Sequence, residues 1–433
     1  MKNIPLPVVM SLSLASAALG AVPLPPPRPP TPLLPPPAGG TSGGAPVQAP
    51  KPPLPPPSNS NPVGAPPTAG RFSVPLSGIS AAQVQDFLAG RGEFLKQETA
   101  ATGLGPIFND VSCVACHFEG GAGGGSRRAV TRFGRLVNGV FDPLAEQGGS
   151  LLQERAIDRA YLEHIPREAN VVARRITTPL FGAGLVEAIP DATLIQNASV
   201  SKTDGVKGRV AMVKDPVSGE MRVGRFGWKA QHATLLGFSA DAYLNEMGIT
   251  NRFFPVENAP NGNQALLAAA DKFVDPEDVV DPATRKSDID KAADFMRLLA
   301  PVPRGPVTER VTAGGAVFQQ VGCAQCHVPS MKTGPDGPIG IRNQTVALYS
   351  DLLLHDMGAL GDGIAQPPAE IREMRTAPLW GLRIRERYLH DGRATSVDQA
   401  IVAHDGEARI IRARYQALPA TQKAALLEFL NSL

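Results

Sequence analysis

A chain of 433 residues with 42 basic and 40 acidic side chains carries a formal charge of only +2. That near balance says little about partners and suggests no nucleic-acid surface, and the length leaves room for two domains with separate cores.

Lys2 precedes an apolar run over residues 8–19, which ends among the small residues Ala17-Ala18-Leu19-Gly20-Ala21. These are the parts of an export signal, and the run is short for a transmembrane helix. The expectation is a signal peptide over residues 1–21, a periplasmic or otherwise exported protein, and no transmembrane span once the signal is cleaved. A retained N-terminal anchor is the alternative. Residues 22–70 are mostly Pro, Gly, Ala and Ser and hold nearly half of the chain's 43 prolines. Such composition favours polyproline II and builds no core, so a disordered, semi-extended tether is expected there.

Two motifs dominate the rest of the chain, Cys113-Val114-Ala115-Cys116-His117 and Cys323-Ala324-Gln325-Cys326-His327. Each is the attachment signature of a c-type haem. The two thiols add across the haem vinyl groups, and the histidine becomes the proximal iron ligand. Together they use all four cysteines, leaving none for disulfides. A thioredoxin-like dithiol or a zinc site leaves the histidine after each pair unexplained. Two covalently bound haems are therefore expected. Because c-type haem is attached after export, the motifs agree with the signal.

A weak internal repeat places one haem in each half. Ala89-Gly90-Arg91-Gly92-Glu93-Phe94 precedes the first motif, and Ala313-Gly314-Gly315-Ala316-Val317-Phe318 precedes the second. The first copy carries extra residues (96–109) between its phenylalanine and its cysteine. Helical patterns are read over residues 281–299, over 312–321, and from Pro419 onward, where Ala424, Leu427 and Leu430 share a face. Pro301-Val302-Pro303 breaks the chain, so domains are expected at 71–300 and 301–433. Few stretches alternate as strands. The fold expectation is mainly α, two cytochrome c-like haem domains, the first enlarged by insertions such as the Gly-rich residues 120–125.

The blocks Arg375-Thr376-Ala377-Pro378-Leu379-Trp380-Gly381, Tyr388-Leu389-His390-Asp391-Gly392-Arg393-Ala394 and His404-Asp405-Gly406-Glu407-Ala408 resemble the C-terminal part of the di-haem oxidoreductase family. That family is related to bacterial di-haem cytochrome c peroxidases and to the di-haem enzyme that matures methylamine dehydrogenase. The likeness extends to Gly103-Leu104-Gly105-Pro106-Ile107-Phe108-Asn109, to Phe226-Gly227-Trp228-Lys229-Ala230 and to Asn245-Glu246-Met247-Gly248, and covers roughly residues 80–433.

The resemblance implies roles. In the peroxidase relatives a His-Asp-Gly block is followed fourteen residues later by the sixth ligand of the C-terminal haem. Counting from His390 gives His404, where the relatives hold methionine or tyrosine. His327 and His404 are thus expected as an axial pair, with Met357 as competitor, and His355 and His390 as supporting groups. A bis-histidine haem has a lower potential than a Met/His one, which makes a high-potential cytochrome donor less natural. No histidine follows the first motif closely, so an open site is expected at His117, with His164 or His232 as possible caps. Glu246 matches the active-site glutamate, Trp228 the aromatic between the haems, and Trp380 reads as structural. A pocket glutamine of the relatives is Leu236 here. A calcium ion between the domains is also implied, without a ligand motif to carry it.

These readings converge on reduction of hydrogen peroxide at the N-terminal haem. Electrons would come through the C-terminal haem from a small redox protein or another donor, such as a protein side chain that is oxidised over a long distance. Two other functions fit two haem motifs: an electron-transfer cytochrome without peroxide chemistry, and a dioxygenase acting on an organic substrate, as in related rubber-cleaving enzymes.

Overall fold

In the computed structural model, which describes residues 70–433, the chain builds the same helical pair twice. The expected signal peptide, and all but the last residue of the expected tether, lie outside the described residues. The first pair is the helix Ala81–Leu95 against Asp288–Leu298; the second is Glu309–Val321 against Ala420–Leu430. Ser80 and Gln83 close a capping box at the start of the first of these helices, and Thr308 accepts from Val311 at the start of Glu309–Val321. Each pair crosses closely at a glycine. A Cβ at Gly90 would collide with the carbonyl of Lys291, and one at Gly314 with that of Ala425. Each pair is then filled by aromatic rings, Phe94 on Phe295 at 4.7 Å and Phe318 on Phe429 at 5.3 Å. Such ring pairs contribute about 0.5–1.5 kcal/mol beyond burial.

The last helix buries Ala425, Leu426, Phe429 and Leu430 rather than the face read from Ala424 and Leu427. The helix expected over residues 281–299 starts at Asp288, where Ser287 caps it.

The mainly α expectation requires correction. The fold is mixed and helix-rich, with ten α-helices and twelve strands among the described residues. Its longest strand, Ala129–Val137, turns back into Val140–Asp142 through Asn138 and Gly139 at φ 51° and 83°. Two residues of positive φ make the tight turn whose twist matches a hairpin. The strand also pairs antiparallel with Val171–Ile176 and Leu151–Leu152. Most other strands have two to four residues, too short for alternation to register.

Among the described residues the two largest apolar cores join the halves. The first gathers Phe87, Phe94, Leu180, Leu194 and Phe295, but also Met331, Ile341, Leu348 and Leu352 from beyond the second motif. The second gathers Val317, Phe318, Tyr415, Leu426 and Phe429, together with Val206 from the first half. All described residues belong to one compact unit. Among them no helix is long and apolar enough to cross a membrane.

Candidate haem sites

Each Cys-x-x-Cys-His begins as a single 3-10 turn, Cys113–Ala115 and Cys323–Gln325. In the second copy the turn follows its helix directly through Gly322, at φ 103°. In the first, the extra residues leave the helix at Lys96 and pair Ile107–Phe108 with Arg155–Ala156 before Ser112 caps the turn.

Both proximal histidines are oriented alike. His117 Nδ1 lies 3.1 Å from the carbonyl of Gly124, and His327 Nδ1 lies 3.0 Å from that of Tyr349. A carbonyl only accepts, so each Nδ1 carries the proton and each Nε2 keeps a free lone pair. Burial pushes both rings down to about 4, which keeps them neutral. The Gly-rich residues 120–125 are thus the cradle of His117. A Cβ at Gly124 would strike the Glu119 carbonyl, and Gly121 and Gly123 stand at φ 137° and 90°. Tyr349 achieves the same end under strain, at φ 52°.

None of the four cysteines pairs in a disulfide, and burial pushes the Cys113, Cys116 and Cys323 thiols up to about 12. Such thiols make poor redox dithiols, which need a depressed pKa. They instead border two cavities of about 310 Å³ and 190 Å³.

The second cavity holds an imidazole pair. His404 faces His327 with ring centroids 6.5 Å apart, the separation that two metal–nitrogen bonds of about 2 Å each would leave. His404 Nδ1 lies 2.7 Å from the Ala400 carbonyl, which frees its Nε2 as well. Met357 lines the same cavity. His355 is held between Asp351 at 3.1 Å and Glu407 at 2.7 Å. Burial disfavours its charge, yet hydrogen bonds with Asp351, Cys326 and Glu407 raise it well above the ordinary histidine value. His390 meets Trp228 edge-on at 6.3 Å.

The first cavity has a different lining. The ring beside His117 is Phe94, edge-on at 5.9 Å. His164 is exposed and outside the cavity, while His232 lines it, its Nε2 3.4 Å from Asp241. The helix Leu235–Met247, capped by Thr234, presents Phe238, Ala242 and Glu246 at four-residue spacing to the cavity. Burial raises the Glu246 carboxyl, against Asn109, which donates to Oε2 at 2.8 Å, and the charge of Arg132.

Sequence reasoning missed the arginines. Register pairs Arg132 with Ala173 and Val130 with Arg175, which sets both guanidinium groups on one face of the sheet, over the cavity. Arg132 Nε and Arg175 Nη2 are buried without partners, as is Arg385 Nε beside the second cavity. Arg175 also pairs with Asp362 at 2.7 Å, but an unmatched N–H on each of these arginines fits a prosthetic group with carboxylates, and the neutral imidazoles fit its metal. Leu236 is partly buried against the cluster of Tyr243 and Met247, whereas Gln231 lines the cavity. Trp228 is the one residue, among those described, that lines both cavities, with Nε1 donating to the Ile176 carbonyl at 2.8 Å. Trp380 packs against the first core.

Two thiol pairs, each with a neutral imidazole beside a cavity, define a protein built to hold two haems. The chain belongs to the family described as "Di-haem oxidoreductase, putative peroxidase", whose model matches residues 160–433. It is thereby an oxidoreductase, and the matched stretch holds the second motif. No curated protein matches the sequence. Among solved structures, hydrazine synthase of Kuenenia stuttgartiensis is 16% identical, with 86% of this chain and 98% of that one covered at a TM-score of 0.38. A MauG-like protein associated with microbial copper homeostasis is 17% identical, covering 59% and 89% at 0.28. The diheme peroxidase BthA of Burkholderia thailandensis is 12% identical, covering 69% and 92% at 0.29. None of the three is close enough in backbone to assign an activity.

Proposed function

We propose that this chain is an exported di-haem c-type oxidoreductase that reduces hydrogen peroxide at the centre held by His117. Electrons arrive through the centre held by His327 and His404. Cys113, Cys116, Cys323 and Cys326 carry the thioether links, and the halves 71–300 and 301–433 hold one haem each. The repeated helical pair supports that division, and the signal-like N-terminus supports export to the periplasm.

The asymmetry of the two cavities carries the reading. One imidazole faces a second, which leaves no position for a substrate. The other shares its cavity with a buried carboxylate and two arginines. Cys113, Cys116 and His117 would hold the haem of the first cavity, which would supply the redox chemistry for peroxide reduction. Glu246 accepts a proton from one peroxide oxygen and returns it to the other, which leaves as water. Asn109 holds Oε2 and so orients the carboxylate toward this work. Arg132 and Arg175 favour negative charge on the departing oxygen. Two electrons and two protons complete the reduction of one peroxide to two waters. The π-system of Trp228 bridges the cavities and shortens the gaps that electrons cross. The paired histidines lower the second centre's potential, which suits a low-potential donor, a small redox protein or another reductant.

Low-temperature EPR of the ferric holoprotein, before and after stoichiometric peroxide, tests this. One high-spin and one low-spin signal, both lost on peroxide addition, are expected. Two low-spin signals indifferent to peroxide, at rest and after half-reduction, would replace the proposal with an electron-transfer cytochrome.

A further inference from the structure

Among the described residues, two triads of carboxylates lie outside the haem cavities, and their charges are met differently. Glu93, Glu98 and Asp288 surround the Lys96 ammonium at 3.3, 3.0 and 2.9 Å. Glu257, Asp275 and Glu277 likewise bring one oxygen each within 4.8 Å of one another, but the largest charge effects on Glu257 come from other acids, Glu277, Asp275 and Asp271.

Glu257 is only 6% exposed. Its Oε1 accepts from the Asn258 N–H at 2.7 Å, while Oε2 is buried with no hydrogen-bond partner. Oε1 of Glu277 is buried without a partner too. Its Oε2 is fixed by the N–H and hydroxyl of Thr250, each at 2.9 Å, and the same hydroxyl meets Asp275. Thr250 is itself fully buried. A buried carboxylate oxygen without a donor and without a counter-charge is an unmet demand for a cation.

We propose that Glu257, Asp275 and Glu277 bind a divalent cation, and that the cation is calcium. The donors are all oxygens, as a hard cation requires. They come from irregular loops that suit the adaptable coordination of calcium better than the rigid octahedron of magnesium. Oxygens about 2.3–2.6 Å from one ion fall within the spacing found here. The site lies wholly within residues 250–277, so it is a different place from an ion between the two haem halves. Thr250 lies just beyond the helix that carries Glu246, past Gly248 in the left-handed conformation. The ion thus ties the exit of that helix to the loop holding Asp275 and Glu277.

Calcium chloride titrated calorimetrically into chelator-treated holoprotein tests the proposal. Thermal unfolding is followed by haem absorbance with and without calcium. Saturable binding and a calcium-dependent rise in Tm are expected. Glu257→Gln and Asp275→Asn should each weaken binding by about tenfold or more. Asp275 is exposed, so its variant keeps the fold even if the buried one does not. Where two ions bind, the variants should remove one. Absence of binding, or binding unchanged in Asp275→Asn and in a folded Glu257→Gln, overturns the proposal. The readout involves no peroxide and stands or falls apart from the reaction.

Discussion

Glu246 is bonded through one oxygen to Asn109 and open to the cavity through its partly exposed side chain. Burial raises its pKa, and a base must be ionised, so reaction with peroxide should slow as pH falls through a value above the ordinary 4.5. Stopped-flow mixing across the acid range should show that limb. Glu246→Gln should abolish it and slow the reaction by about 10²–10⁴-fold. A glutamine variant with the native rate would remove Glu246 from the chemistry. At the second centre, His404→Met should keep a six-coordinate haem and raise its reduction potential in spectropotentiometric titration. An unchanged potential would mean that another group, with Met357 nearest to hand, already holds the position. The motif cysteines and histidines stand out in the chain because the Cys-x-x-Cys-His pattern is complete within five residues. Arg132 and Arg175 were not, because each is one ordinary arginine until strand register sets the two side by side.

At the scale of elements, the helices were readable in outline and the sheet was not. Gly90 and Gly314 mark the repeat in the sequence, but their reason is the carbonyl of a partner helix distant in the chain. Gly314→Ala should force that pair apart and destabilise the protein by about 1–3 kcal/mol in denaturant unfolding. Gly92→Ala meets open space and should cost nothing comparable. The sheet carried one local signal, Asn138-Gly139 between Val137 and Val140, the usual mark of a two-residue hairpin turn. Its partner Val171–Ile176 lies too far along the chain for any local pattern to bring it in.

Across the whole molecule, residues beyond the second motif pack into the first core, and Val206 packs into the second. The halves therefore share apolar surface, and calorimetry of the holoprotein should give one unfolding transition rather than two. Trp228 lines both cavities, so Trp228→Phe should leave both EPR signals in place and slow the loss of the low-spin one after peroxide. Equal rates would move the electron route elsewhere. Two haem sites, the helices that lead into them and the family blocks could be read in one dimension, because attachment chemistry and helical periodicity act over a few residues. The facing of His404 and His327 and the tryptophan between the cavities were expected through the family blocks alone, and the arginines over the first cavity not at all, because all three arise from contacts between distant segments. Packing brings those segments together, and no local pattern in the chain encodes the meeting.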